Sequence, residues 1–391
     1  MFTARYLYLF GRAGATFASL VLALGYSRDL GIVNRSSISI IMTTNALLWI
    51  VLTSGTTLTI RKIGWLNAEK SIVRSFNSVI AAQFIIVVSV YFLVINLYSQ
   101  FKNPIALNLM LLSLCYVIAS GIHLVVIELL LSTGRFRSAG LLEILTVLSQ
   151  LTLYVIGSQI SQISVASRLL LAFTISYLVI SVLALYLITI SKKYPIGLGS
   201  PSEFIKRSRY NHILGASLGF MDRVDRILVG FLLATPILGK YAVATTLITL
   251  LRFFPDGISK LIMAKRVTLQ RLDRIRKELV LLAGVLLASF IIFVSREVIE
   301  FWLGPQWLMG LSIYIAIAMQ ELSRGVYQIV ANQKILGNLS RAVHRAAALT
   351  PILAVLIAFL GVRIFGLVAI PSAFCISYLM GIVIMRRKIM L

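Results

Sequence analysis

Apolar runs of about 17 to 25 residues, each long enough for a helix to cross roughly 30 Å of hydrocarbon, recur along the whole sequence. Twelve are predicted as membrane-spanning helices: 6–26, 36–60, 78–98, 105–131, 139–160, 166–190, 211–234, 241–264, 279–295, 308–333, 342–360 and 364–385. The first contains Arg12 and lacks a small-residue cleavage site before a soluble domain, so it reads as a span and not as a removable signal. The seventh, eighth and tenth are the least apolar because they carry charges. The connecting segments are short. The longest, 191–210, is basic, holds Pro195 and Pro201, and reads as a linker. It separates six predicted spans, 1–190, from six more, 211–391. Two such halves must share one orientation and could be parallel repeats. A faint similarity between DLGIVNRSSISIIMTTNALL after span one and ILGKYAVATTLITLLRFF after span seven points the same way.

Composition agrees with this pattern. Hydrophobic residues make up 59% of the 391, charged residues 13%, and the mean hydropathy is +0.96, far from the range of soluble domains. The expected class is therefore an all-α integral membrane protein. A formal net charge of +24 would suggest nucleic acid if the cations shared one solvated face, but here they fall in short blocks between apolar runs. Cytoplasmic loops hold the excess of Lys and Arg in membrane proteins. With the N-terminus inside, 24 cations fall on cytoplasmic segments and 7 on the opposite loops, so both termini are expected in the cytoplasm. The loop charge then reports orientation and contact with anionic lipid headgroups.

Six cations, Arg12, Arg223, Arg226, Arg252, Lys260 and Arg324, remain inside the spans. So do six carboxylates, of which Asp222, Asp225, Asp256 and Glu321 lie in the second half beside the cations. A lone ionised side chain at the bilayer centre costs on the order of 2.5 to 3.5 kcal/mol even on the lenient insertion scale, so four within DRVDR cannot all face lipid. On one continuous helix at 100° per residue, Asp222, Arg223, Asp225 and Arg226 fit within an arc of about 160°, shared by Asn211, Gly215 and Gly219. Arg252, Asp256 and Lys260 form an i, i+4 ladder broken by Pro255, which predicts a kink. Glu321 and Arg324 add an i, i+3 pair, with Gln320 and Gln328 nearby. Two readings account for these faces. Either they pair with one another and hold the helices together, or they line a water-filled route for a substrate or ion.

Other chemistry is sparse. The sequence holds no Walker phosphate loop, HExxH or clustered Cys and His, so neither an enzyme, a metal nor a cofactor is expected. Cys115 and Cys375 read as packing residues, as does His123, and Glu128 and Glu143 sit near Arg135 and Arg137 at span ends.

The stretch DRILVGFLLATPILGKYAVA, through Asp225, Gly230, Leu238, Gly239, Tyr241 and Ala244, resembles a pattern of the multidrug/oligosaccharidyl-lipid/polysaccharide exporter superfamily, and in particular its O-antigen-type polysaccharide flippases. SRDLG at 27–31 is similar to the corresponding element of the first half, although Asn34 and Arg35 replace the usual aromatic and glycine. The last two spans, with Gly337, Gly361 and Gly366, also resemble that family. The resemblance implies two six-helix lobes around a central cavity that opens alternately to each side. It implies a cargo of undecaprenyl-pyrophosphate-linked oligosaccharide for surface polysaccharide, carried across the cytoplasmic (inner) membrane of a prokaryote, with the cavity cations facing the pyrophosphate and sugar acids. The four carboxylates would hold those cations, or bind and release a coupling H+ or Na+. Contact with other polysaccharide-assembly membrane proteins also follows. The rival within the superfamily is a proton- or cation-coupled multidrug exporter.

Overall fold

In the computed structural model, residues 2–63, 70–101, 104–132, 135–160, 162–189, 199–252, 274–336 and 340–386 are described, and no strand occurs among them. The all-α class expected from the sequence is what the structure shows. Two packed units divide the chain, Met1–Gly219 and Phe220–Leu391, so the boundary falls inside the seventh predicted span.

The first unit begins with α1 (Phe2–Ile63), α2 (Lys70–Phe101), α3 (Leu107–Ser132), α4 (Phe136–Ser158) and α5 (Val165–Thr189). A straight helix of 62 residues would measure about 93 Å at 1.5 Å per residue, three times the hydrocarbon thickness, so α1 has to bend. It bends at Gly31, whose φ of 70° and ψ of 170° belong to a region open in practice only to glycine. No separate loop lies between the first two predicted spans, over 27–35; helix runs up to and away from this one residue. Across the bend the Arg35 guanidinium lies 4.7 Å from the centroid of the Tyr26 ring. Nine residues of straight helix would hold the two about 13 Å apart. Tyr154 of α4 donates a 2.5 Å hydrogen bond to Asp29, tying the bend to the neighbouring helix.

α1 packs along α4, α2 and α3, and α5 lies on α3 and α4. Two close approaches fix these contacts. A Cβ on Gly11 would lie 2.8 Å from the Gly140 carbonyl oxygen, so α1 and α4 meet backbone to backbone there. The Trp49 ring covers Gly121, and its indole N–H donates to the Val117 carbonyl at 3.0 Å. Asn45 and Ser120 exchange hydrogen bonds, and Gln83 donates to the Leu52 carbonyl and to Thr56. Buried between apolar helices, such polar groups need protein partners. His123 stacks on Tyr177, ring centroids 4.9 Å apart. Arg135 donates to the Leu187 carbonyl at 2.6 Å, placing a cation on the last turn of α5, where the helix dipole favours one.

The sixth helix, α6 (Pro201–Met221), starts with proline at its first position and takes in the second half of the 191–210 segment. That part is not free chain. Phe204 is fully buried among Phe76, Leu130, Ala139 and their neighbours, its ring 5.6 Å from Phe76. Gly199 exchanges hydrogen bonds with Ser78 and donates to the Arg74 carbonyl at 3.0 Å.

The second unit contains α7 (Val224–Leu232), α8 (Thr235–Ile248) with a 3-10 turn at Thr249–Arg252, α9 (Arg274–Leu303), α10 (Leu311–Leu336), α11 (Ser340–Phe365) and α12 (Ala369–Arg386). α12 packs against α10, α11 and α7, while α8 touches α7, α9 and α10. α8 is apolar and buried nearly all round, as a helix enclosed by others must be. Gly381 lets α12 close on α10 and α11: a Cβ there would sit 2.6 Å from the Tyr327 ring and 2.7 Å from the Thr350 hydroxyl.

Six helical segments among the described residues are long and apolar enough to cross a membrane: Ala13–Thr53, Arg74–Gln100, Leu107–Ser132, Arg137–Ser158, Val165–Ile188 and Ala342–Arg386. The first and last each run through two of the predicted spans. The seventh predicted span falls on α6, a break and α7, the ninth and tenth on α9 and α10. The eighth begins in α8 and continues past Arg252, outside the described residues.

Candidate functional site

The charges of DRVDR do not lie on one continuous helix. α6 ends at Met221 and α7 begins at Val224, so Asp222 and Arg223 form a turn between two helices, with Arg223 at φ −132° and ψ −24°. The single 160° arc expected from helical periodicity therefore does not exist. A break at this position frees backbone donors that need new partners. One is supplied locally: Asp225, in the first turn of α7, accepts the Arg226 backbone N–H at 2.8 Å. A carboxylate also suits the positive end of a helix dipole.

Around this turn the second unit gathers five of the predicted charges into specific contacts. Asp225 is 3% exposed, and its other carboxylate oxygen accepts a 2.9 Å hydrogen bond from the Tyr241 hydroxyl of α8. Arg226 is 8% exposed and its Nε donates to Thr245 of α8 at 3.1 Å. From α10, Arg324 reaches Asp222 at 2.7 Å and Glu321 at 3.7 Å. Glu321 is 3% exposed, and Gln320 beside it is equally buried. Arg223 stands at the turn, half-buried. α7, α8 and α10 thus meet in one polar cluster inside an apolar bundle. At Arg324 the mutual pairing considered from the sequence is present, with one guanidinium bridging two carboxylates.

The remaining predicted site residues are only partly placed. The backbone of Arg12 lies in α1 and that of Arg252 ends the 3-10 turn after α8, but both side chains lie outside the described residues, as do Asp256 and Lys260 entirely. The kink expected at Pro255 lies outside them as well. Two contributors escaped the sequence reading as site residues. Tyr241 stood out only as part of a family pattern, and Thr245 only inside the repeat stretch, since a tyrosine or threonine on an apolar helix carries no charge signal.

Among the described residues no group of three or more His, Cys, Asp and Glu side chains is placed to hold a metal ion. Cys115 and Cys375 are both free, and Cys375 lies 3.1 Å from the Ser323 hydroxyl.

No protein-family model and no curated protein sequence matches this chain. Solved structures do. The lipid II flippase MurJ in an inward closed conformation is 14% identical, with 97% of this chain and 86% of that one covered at a TM-score of 0.73. An inward-facing multidrug resistance MATE transporter of the MOP superfamily is 12% identical over 94% of this chain and 92% of that one, at 0.67. A mutant of the Vibrio cholerae MATE transporter VcmN is 12% identical over 97% of this chain and 93% of its own, at 0.62. The chain thus has, over nearly its full length, the fold found in the MurJ flippase and the MATE transporters.

Proposed function

We propose that this protein is a flippase of the cytoplasmic membrane that carries a lipid-linked oligosaccharide, joined through undecaprenyl pyrophosphate, by alternating access of two lobes, residues 1–190 and 211–391. Both termini would face the cytoplasm. The observation that carries this reading is the broken helix at Asp222–Arg223 with its cluster of Arg226, Arg324 and buried carboxylates. Interrupted helices in transporters place ionised groups and helix ends where a polar cargo binds. Asp222 and Glu321 hold the Arg324 guanidinium in place, and a guanidinium fork matches phosphate oxygens two at a time. Arg12, Arg252 and Lys260 would extend the cationic side, Asp256 the carboxylate side. The ten candidates bring six cations against four carboxylates, a balance that suits a pyrophosphate and repels a cationic drug in a medium of low dielectric. The lipid II flippase among the similar folds adds a precedent for a lipid-linked cargo.

The MATE likeness favours one alternative, a multidrug exporter driven by H+ or Na+. Expression in a strain lacking its own polysaccharide flippase separates the two. Rescue of surface glycan without a gain in drug tolerance is the outcome expected; drug tolerance without glycan would establish the exporter.

A further inference from the structure

Arg226 and Asp225 are adjacent in sequence and buried in the same cluster, yet each is held from a second helix by a different uncharged hydroxyl. The Tyr241 hydroxyl gives its proton to one Asp225 carboxylate oxygen at 2.9 Å, while the Arg226 backbone N–H occupies the other at 2.8 Å. Both oxygens of the carboxylate are therefore engaged, and its plane is fixed. One turn further along α8, Thr245 donates its own hydroxyl proton to the Ala242 carbonyl at 3.1 Å. With that proton committed, only lone pairs face α7, and one accepts Arg226 Nε–H at 3.1 Å. Nε is the inner nitrogen of the guanidinium. Five N–H donors belong to the group, and the bond to Thr245 uses the inner one. Among the described residues it is also the only side-chain hydrogen bond of Arg226, so the terminal fork is left for another partner. Tyr241 is fully enclosed and Thr245 nearly so, and their own helix is buried around them.

We infer that Tyr241 and Thr245 are positioning residues: they fix the Asp225 carboxylate and the Arg226 guanidinium so that the terminal nitrogens of Arg226 present a preset two-pronged donor to an anionic phosphate oxygen. The inference rests on the flippase reading for the identity of the anion. It does not rest on it for the geometry. Preorganised donors avoid the cost of ordering a long flexible side chain when the ligand arrives, so loss of the Thr245 acceptor weakens binding while the fold persists.

The neighbouring Thr246 supplies the control. Its hydroxyl also donates to the Ala242 carbonyl, at 2.7 Å, and makes no hydrogen bond to α7 among the described residues. Purified full-length protein in lipid nanodiscs is titrated with undecaprenyl pyrophosphate, and hydrogen exchange of the 220–230 segment is followed in the same samples. Thr245→Val is expected to weaken binding about tenfold, the size of a lost hydrogen bond to a charged group. Thr245→Ser keeps the acceptor and should restore wild-type affinity, Thr246→Val should match the wild type, and Tyr241→Phe should speed exchange at the start of α7. If the wild type binds and Thr245→Val binds equally well, the positioning role is wrong and the flippase reading stands. If the wild type does not bind the probe, the flippase reading fails, and exchange decides the rest. Faster exchange in Thr245→Val and Tyr241→Phe but not in Thr245→Ser or Thr246→Val upholds the positioning role. Unchanged exchange overturns it.

Discussion

At the residue scale the cluster of the second unit is governed by one asymmetry: a buried charge is tolerated when paired and costly when its partner is removed. Arg324 serves two carboxylates, Asp222 at 2.7 Å and Glu321 at 3.7 Å, and its side chain is 10% exposed. Arg324→Ala should therefore destabilise the protein by about 3 to 5 kcal/mol, the usual cost of orphaning a buried charge. A fall in melting temperature in detergent would show it. Adding Asp222→Asn to that variant should return part of the loss, because one of the abandoned charges is gone. An Arg324→Ala protein as stable as the wild type would mean that the bridge is loose. These charged residues were legible in the sequence, since an ionised group in an apolar run stands out against its neighbours. Tyr241 and Thr245 were not. Their importance comes from α7, which lies 16 and 19 residues earlier in the chain at the points of contact, and periodicity within one helix cannot register that.

At the element scale two features set the paths of helices, and they differed in how visible they were. The bend of α1 occupies a polar segment that suggested a loop, but the segment's side chains sustain helix on both sides. Asn34 donates to the Leu30 carbonyl at 3.2 Å and Ser36 to that of Ile32 at 3.1 Å, so only Gly31 itself departs from helical geometry. Gly31→Ala should cost about 1 to 3 kcal/mol, the strain of placing a side-chain-bearing residue in that region of backbone space. Nothing lies within 4 Å of the position a Cβ would take, so the loss would come from the backbone and not from crowding. Gly381→Ala should also destabilise, for the opposite reason: its backbone is helical, and the new methyl would meet Tyr327 and Thr350. A larger side chain at 381 should cost more than alanine, whereas at 31 size should matter little. The second feature, the break at Asp222–Arg223, had no Pro or Gly at the break itself to announce it. Helical periodicity carried straight across the site, and the carboxylate of Asp225 that helps begin α7 was legible only as a charge. Similarly, the stretch after span one that resembles the one after span seven contains the bend, whereas Ile237, Leu238 and Gly239 of the second copy lie in the first turns of α8.

At the scale of the whole molecule the class was the most legible property, because the length and apolarity of spans reflect the bilayer thickness and little else. The long apolar helices of the first unit and the Ala342–Arg386 segment fall where hydropathy put them. The spans with charged faces were harder to bound, since their polar residues are satisfied by partners on other helices. The same partners make the account testable as transport. The charged cluster is proposed to handle an anionic lipid-linked cargo. The most direct measurement is translocation of an undecaprenyl-pyrophosphate-linked oligosaccharide across proteoliposomes holding the wild type, Arg226→Ala or Arg252→Ala at matched protein content. Wild-type protein should move the glycan across the bilayer, and each variant should be slowed by about tenfold or more, as expected when a hydrogen bond to a charged group is lost. Equal translocation by all three, or none by the wild type, would contradict the account.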